Sequence, residues 1–396
     1  MNPLQDDPDA AREALCGLIS AGLDDDAVLD RRARGVWSAL CEPGDGDAGV
    51  LVAAVGAAEA LRLVIVDDVR AVAVAAGAKA ERAREALDRW RPRLQPGAVA
   101  AAFDTARRAG VRLVVPGDAV WPTRVDDLGP HAPLCLWVRG ALPARVGAAV
   151  AIVGARAATS YGEHVAMELA ADLAADGIRI ISGAAYGIDG AAHRAALSAG
   201  GATDALLAGG VDRSYPSGHE DLLGRVARTG AVLSEVACGA APTKWRFLAR
   251  NRLIAAMADA TVVVEAGWRS GSLNTAGHAA SLGRALGAVP GPVTSPSSAG
   301  CHRLLRDYDA RCITSAADVR ELLGATQEVL PGAEDWVDEM TALRDALSAR
   351  VWRTADDVAR RCGQSIADVE RGLGLLLLEG RAQHGPGGWR LIAARR

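Results

Sequence analysis

Lysine is nearly missing from this chain. Lys79 and Lys244 are the only two in 396 residues, and arginine carries the remaining positive charge. A GC-rich coding bias is a simpler account of this than selection for guanidinium chemistry. The net charge is −4, so the surface as a whole does not attract polyanions. A nucleic-acid role would need a local basic cluster. Cysteine motifs are missing too. The seven cysteines (Cys16, Cys41, Cys135, Cys238, Cys301, Cys312 and Cys362) are odd in number, none forms C-x-x-C, and no Cys/His group has zinc spacing. That argues against a disulfide framework or a zinc module and for buried thiols in a reducing compartment. No apolar run approaches the roughly 20 residues that span a bilayer. The acidic stretch Met1–Asp9 has no signal-peptide pattern. The expected location is the cytoplasm, with no membrane contact.

What is present is a globular composition. Half the residues are hydrophobic, and the length allows two or three domains. Residues 1–108 read as an Ala-rich helical domain, with helices expected over Ala11–Ser20, Asp26–Leu40 and Ala78–Trp90. Arg82, Arg84, Arg89, Arg91 and Arg93 form a modest basic run there, which reads more readily as a solvated helix face than as a nucleic-acid contact. Residues 109–323 alternate apolar strands with helices. Strands are expected at 111–115, 133–138, 149–153, 178–181, 202–207, 231–234 and 261–265. Helices are expected at Glu163–Asp176, Ala191–Ala199, His219–Arg228, Phe247–Met257 and Thr275–Leu286. The alternation predicts an α/β fold with a doubly wound sheet. Residues 324–336 read as a linker. Residues 337–396 hold three expected helices (Val337–Arg350, Ala355–Arg361 and Ile366–Glu379) and a terminal hairpin, the pattern of a winged helix. Its third helix carries Asp368, Glu370 and Glu379 against Arg371, which suits a protein contact or weak DNA binding better than major-groove reading.

The central stretch is Ala148–His193. Strand Ala149–Val153 ends at Gly154-Ala155-Arg156, and strand Ile178–Ile181 ends at Ser182-Gly183. Glycine lets a phosphate approach the backbone, helix N-terminal N–H groups face it, and Arg156 adds a charge-assisted contact. A dinucleotide fingerprint would need glycines where Arg156 and Thr159 stand, so that reading is set aside. Further on, Ser270-Gly271-Ser272 suits an N–H nest for an anion. Between them, Lys244–Arg252 holds four cations and two aromatics in nine residues. That interleaving suits a single strand of nucleic acid, although Trp245 and Phe247 taken alone favour a core placement. Arg250, Asn251 and Arg252 also suit hydrogen bonds that brace the sheet edge. Ser182, Asp189 and His193 superficially suggest a hydrolase, but no G-x-S-x-G is present and a packed or capping set is the better reading. His278 and His302 stand alone.

These motifs together resemble the DprA/Smf family of DNA-processing proteins. The carriers run in order from 110 to 320: Ala151–Arg156, Ser182–His193, Gly209–Pro216, Leu233–Glu235, Arg250–Ala255, Val264–Ala266, Ser270–Ala276 and Ala288–Gly291. The departures are Ala155 for the family's serine, His219 for asparagine and Leu248 for proline. The resemblance implies an extended Rossmann-like domain, flanked by an N-terminal helical domain of SAM or helix-hairpin-helix type and a C-terminal winged helix. It implies a homodimer that binds single-stranded DNA and loads the RecA recombinase during natural transformation, with no cofactor, no metal and no catalytic turnover. The candidate strand-binding residues are Gly154, Arg156, Ser182, Gly183, Gly209, Gly210, Lys244, Phe247, Arg250, Asn251, Arg252, Ser270, Gly271 and Ser272. Two alternatives stay open. One is a nucleotide- or sugar-phosphate-processing enzyme using Glu235, Asp189 or Glu265. The other is a regulator that binds duplex DNA through the winged helix.

Overall fold

The computed structural model describes residues 7–144, 147–324, 340, 343–378 and 380–392. They fall into two compact units, one ending at Ala325 and one beginning at Thr326. Among the described residues of the first unit, nine strands form one sheet: β1 (Arg112–Val114), β2 (Leu136–Gly140), β3 (Ala149–Val153), β4 (Arg179–Ser182), β5 (Thr203–Leu206), β6 (Ala231–Ser234), β7 (Ala260–Val263), β8 (Ala285–Ala288) and β9 (Arg311–Cys312), in the order β1-β2-β6-β5-β4-β3-β7-β8-β9. From β6 to β9 neighbours run parallel, while β1 and β2 add an antiparallel edge. The doubly wound α/β fold is therefore observed.

Strand β3 sits where the winding reverses. The chain leaves it outward through β4, β5 and β6, then returns to its other side as β7, with Val150 opposite Ala260 and Val153 opposite Val263. All five β3 residues are buried. Period-two alternation sends Val150 and Ile152 into one core and Ala149, Ala151 and Val153 into another. The first core is filled from α8 (Ser160–Ala175) and α9 (Ile188–Ser198). The second takes Leu253, Ile254 and Met257 of α11 (Lys244–Met257). A fully buried Ile152 contributes about 1.5–3 kcal/mol.

Among the described residues seven α-helices precede the sheet: α1 (Pro8–Leu15), α2 (Asp25–Leu40), α3 (Gly46–Val55), α4 (Ala57–Val66), α5 (Val69–Ala75), α6 (Ala80–Trp90) and α7 (Pro96–Arg108). The segment expected as a separate domain shares a core with the sheet. Trp37 meets Trp90 edge to face at 5.1 Å, Phe103 lies 5.9 Å from Trp137 of β2, and Trp137 Nε1 donates to Ser38 Oγ at 3.0 Å. The basic run is neutralised within this layer. Arg82 and Arg89 pair with Asp47, Arg84 and Arg91 with Asp67, and Arg93 with Glu42. No single helix among the described residues is long and apolar enough to cross a membrane.

Three expected helices end early. The one expected over Ala11–Ser20 is α1, which stops at Leu15 where Cys16 leaves the helical backbone. The one expected over Thr275–Leu286 is α12 (Ser272–Ser281); Gly283 turns left-handed at φ +65 and releases Leu286 into β8. The one expected over Val337–Arg350 is helical at Met340 and from Leu343 to Ala346, then stops as Ser348 Oγ accepts from the Arg350 and Val351 N–H groups. Its residues 337–339, 341 and 342 lie outside the described residues, as does the expected linker beyond Gly324. The second unit otherwise holds α15 (Ala355–Cys362), α16 (Ile366–Leu378) and a hairpin, Ala382–Gly385 with Gly388–Leu391. In α16, Asp368 pairs with Arg371 at 2.5 Å.

His193 and Asp189 share α9 but do not pair. His193 Nδ1 lies 2.7 Å from Thr203 Oγ1, and that hydroxyl donates to the Ile180 carbonyl. The Nδ1 proton therefore points at Thr203, and Nε2 is buried with no partner among the described residues. Burial pushes the His193 pKa down to about 3. Its neutral form is favoured by folding, so its contribution is complete above about 6.5 and is lost as pH falls from there. Asp204 acts in the opposite sense, because burial pushes it up to about 6 despite Arg179 at 2.8 Å. Denaturant titrations should therefore show His193→Gln gaining stability relative to the parent chain as pH falls below about 6.5, with Asp204→Asn showing the reverse trend. A pH-independent difference for His193→Gln would contradict the tautomer and burial described.

Candidate functional site

β3 and β7 stay paired to their carboxyl ends, and the loops that leave them at the reversal point flank the usual place for a ligand in an open α/β sheet. A cleft of about 170 Å³ opens there. Its lining includes Gly154, Arg156, Asp189, Phe247, Arg250, Asn251, Ser270, Gly271 and Ser272. This is smaller than the ~300–1,000 Å³ of typical small-molecule sites, and suits a phosphate group better than a whole dinucleotide.

The first wall is the loop after β3. A Cβ on Gly154 would lie 2.6 Å from Ile188 Cγ1 and 2.9 Å from the Glu265 carbonyl, so only glycine fits. Arg156 follows on the surface. Its guanidinium carbon lies 4.8 Å from the Phe247 ring centroid, and it makes no ion pair among the described residues. Glu265, buried behind this wall, accepts from Thr159 N at 2.8 Å and Thr159 Oγ1 at 2.9 Å. It thus occupies the start of α8, where a dinucleotide-binding fold would seat phosphate.

The floor is Arg250, 6% exposed. Its Nη1 donates to the Gly183 carbonyl at 2.7 Å and to the Leu206 carbonyl. A Cβ on Gly183 would sit 2.3 Å from that nitrogen. Asp189 accepts from Gly183 N at 3.2 Å and Ala185 N at 3.3 Å. Burial pushes the Asp189 carboxyl above its ordinary range, opposed by Arg250. Burial also pushes Arg250 down to about 10, opposed by Asp189, so the guanidinium stays charged at neutral pH.

The second wall is the Ser270 loop. Asn251 Nδ2 donates to Gly271 O at 3.3 Å and Asn274 Oδ1 at 3.2 Å, and the Ser270 and Ser272 hydroxyls lie 2.7 Å apart. The remaining candidates lie elsewhere. Ser182 is buried and donates to Ile152 O at 2.6 Å. Gly209 packs on Pro242, and Gly210 N donates to Ala240 O at 3.0 Å, so both seat the segment entering α11. Arg252 is 5% exposed and pairs with Glu235 at 2.5 Å; Glu235 also accepts from Gly44 N of the helical layer at 3.2 Å. Burial pushes Glu235 up, against the pull of Arg252.

The nine-residue basic segment therefore divides. Arg246 grips Glu42 with two bonds, at 2.9 and 3.0 Å, while Arg250 and Arg252 turn inward. Lys244 stays exposed and makes no ion pair among the described residues. Trp245 corrects the core expectation, since it is 74% exposed at the solvent-facing start of α11. Two aromatics absent from the candidate set stand beside the site. Tyr215 lies 5.3 Å from Phe247, and Tyr186 meets His219 edge to face at 4.8 Å; both are nearly half exposed. Their positions in Gly-containing loops at strand ends were the available signal.

A family model for DNA recombination-mediator protein A matches residues 112–324. The chain belongs to that family. A DprA-named DNA processing protein of Mycobacterium tuberculosis (strain ATCC 25618 / H37Rv) is 43% identical, covering 93% of this chain and 96% of its own length. Protein Smf of Escherichia coli (strain K12) is 36% identical, covering 65% and 71% respectively. The X-ray structure of DprA from Streptococcus pneumoniae superposes with a TM-score of 0.59 at 28% identity, covering 74% of this chain and 97% of that one. The resemblance read from the motifs is borne out, and DNA processing is the chain's field of action.

The geometry assigns Arg252 a bracing task. Removing one partner of a buried ion pair leaves the other charge uncompensated. Arg252→Gln should therefore cost about 3–5 kcal/mol in denaturant titration. A loss below about 1 kcal/mol would show that the Glu235 pair does not join the helical layer to the sheet.

Proposed function

We propose that this cleft binds single-stranded DNA without sequence preference. The observation that carries the reading is the stacking of the unpaired Arg156 guanidinium on Phe247, beside Tyr215 and opposite the Ser270–Ser272 loop. Cations track phosphates, and rings accept the face of any base. Carboxylates that an enzyme would use are engaged elsewhere: Glu265 with Thr159, Glu235 with Arg252, and Asp189 with two backbone N–H groups.

Family membership supports a mediator role around that contact. In this reading the chain works as a cytoplasmic homodimer and loads the RecA recombinase onto the strand during natural transformation and recombination, with no cofactor. The C-terminal unit is read as a winged helix that contacts protein or binds DNA weakly. The one cation of α16, Arg371, is paired with Asp368.

Fluorescence anisotropy across a salt series tests the site. Arg156→Ala should weaken binding about tenfold on unrelated sequences alike, and lower the slope of log K against log salt by about 0.7. Lys244→Ala should act in the same direction without altering stability. Normal binding by Arg156→Ala, or loss confined to one sequence, would overturn the assignment.

A further inference from the structure

The cleft holds only a short piece of strand, so a longer strand must cross the adjoining surface. On the Ser270 side that surface is aromatic and cationic. Trp268 stands two residues before Ser270 and is 57% exposed. The Arg303 guanidinium lies 5.2 Å from the Trp268 ring and 5.4 Å from the Tyr308 ring, and its Nη2 donates to the Tyr308 hydroxyl at 3.0 Å. Among the described residues Arg303 has one distant acidic neighbour, Asp307 at 4.0 Å. Arg269 is exposed and makes no ion pair among the described residues. The loop is anchored rather than free: Gly300 N donates to the Ala266 carbonyl at 2.7 Å, and Ser270 N to Gly267 O at 3.1 Å.

We propose that Trp268 is a stacking platform for a nucleobase next to the phosphate seated at Ser270–Ser272, with Arg269 and Arg303 facing the adjoining phosphates. This rests on the reading of the cleft as a single-strand seat. Arg303 against the indole and the exposed Arg269 next to it in the chain complement a polyanion, where an apolar partner surface would leave them desolvated. Continuity with the Ser270 loop makes the occupant the same strand. Stacking is indifferent to base identity, so the platform lengthens the site without adding sequence preference.

The test uses the full chain and oligothymidylates of about 5 and about 20 nucleotides, below and above the site sizes usual for such proteins. Trp268→Ala should weaken the long oligonucleotide about 5- to 100-fold and leave the short one within about twofold. Trp268→Phe should restore most of the loss. Arg156→Ala should weaken both lengths. If Trp268→Ala binds the long oligonucleotide normally while Arg156→Ala does not, the platform is overturned and the cleft stands. An equal loss on both lengths places Trp268 in the scaffold of the Ser270 loop and also overturns it, as does a change of oligomeric state that accounts for the loss. If the parent chain binds neither length, both readings fall.

Discussion

Arg250 is the constraint on which the cleft depends. A guanidinium held at 6% exposure must replace its water with protein partners. It takes the Gly183 and Leu206 carbonyls at the ends of β4 and β5, and faces the Asp189 carboxylate, which in turn ties down Gly183 and Ala185. One side chain thus fixes two strand ends and the loop between β4 and α9. Its helix reaches both walls as well. Phe247, one turn earlier, supports Arg156, and Asn251, the next residue, holds the Ser270 loop.

Around that floor the charges have two separate uses. Glu265 fills the start of α8, so the anion seat common to dinucleotide folds is taken by the protein itself. Arg252 and Arg246 spend their charge on Glu235 and Glu42, joining the sheet to the helical layer. What remains open is Arg156, Lys244 and the Ser270 loop, beside exposed rings. A chain with a net charge of −4 can still offer a basic path, because the basic run of its helical layer is neutralised locally.

The sheet was legible because its strands are short, apolar and β-branched. β3 and β6 were found to the residue, since burial on both faces leaves a continuous hydrophobic run. β8 was missed because Ala285-Leu286 extends a helical pattern and the stop rests on the backbone of Gly283. In the site, the residues of the cleft walls were legible from Gly and Ser loops at strand ends. Which arginines face outward was not, because that depends on Glu42 and Glu235, hundreds of residues away or on another strand end. The same holds for Trp245, whose composition says core and whose place on α11 says solvent.

The central claim is that this edge of the sheet seats a single strand rather than a duplex. The most direct measurement is a competition between single-stranded and duplex DNA of the same sequence across a salt series. The account predicts preference for the single strand, with log K falling linearly as log salt rises. Preference for the duplex, or binding indifferent to salt, would contradict it.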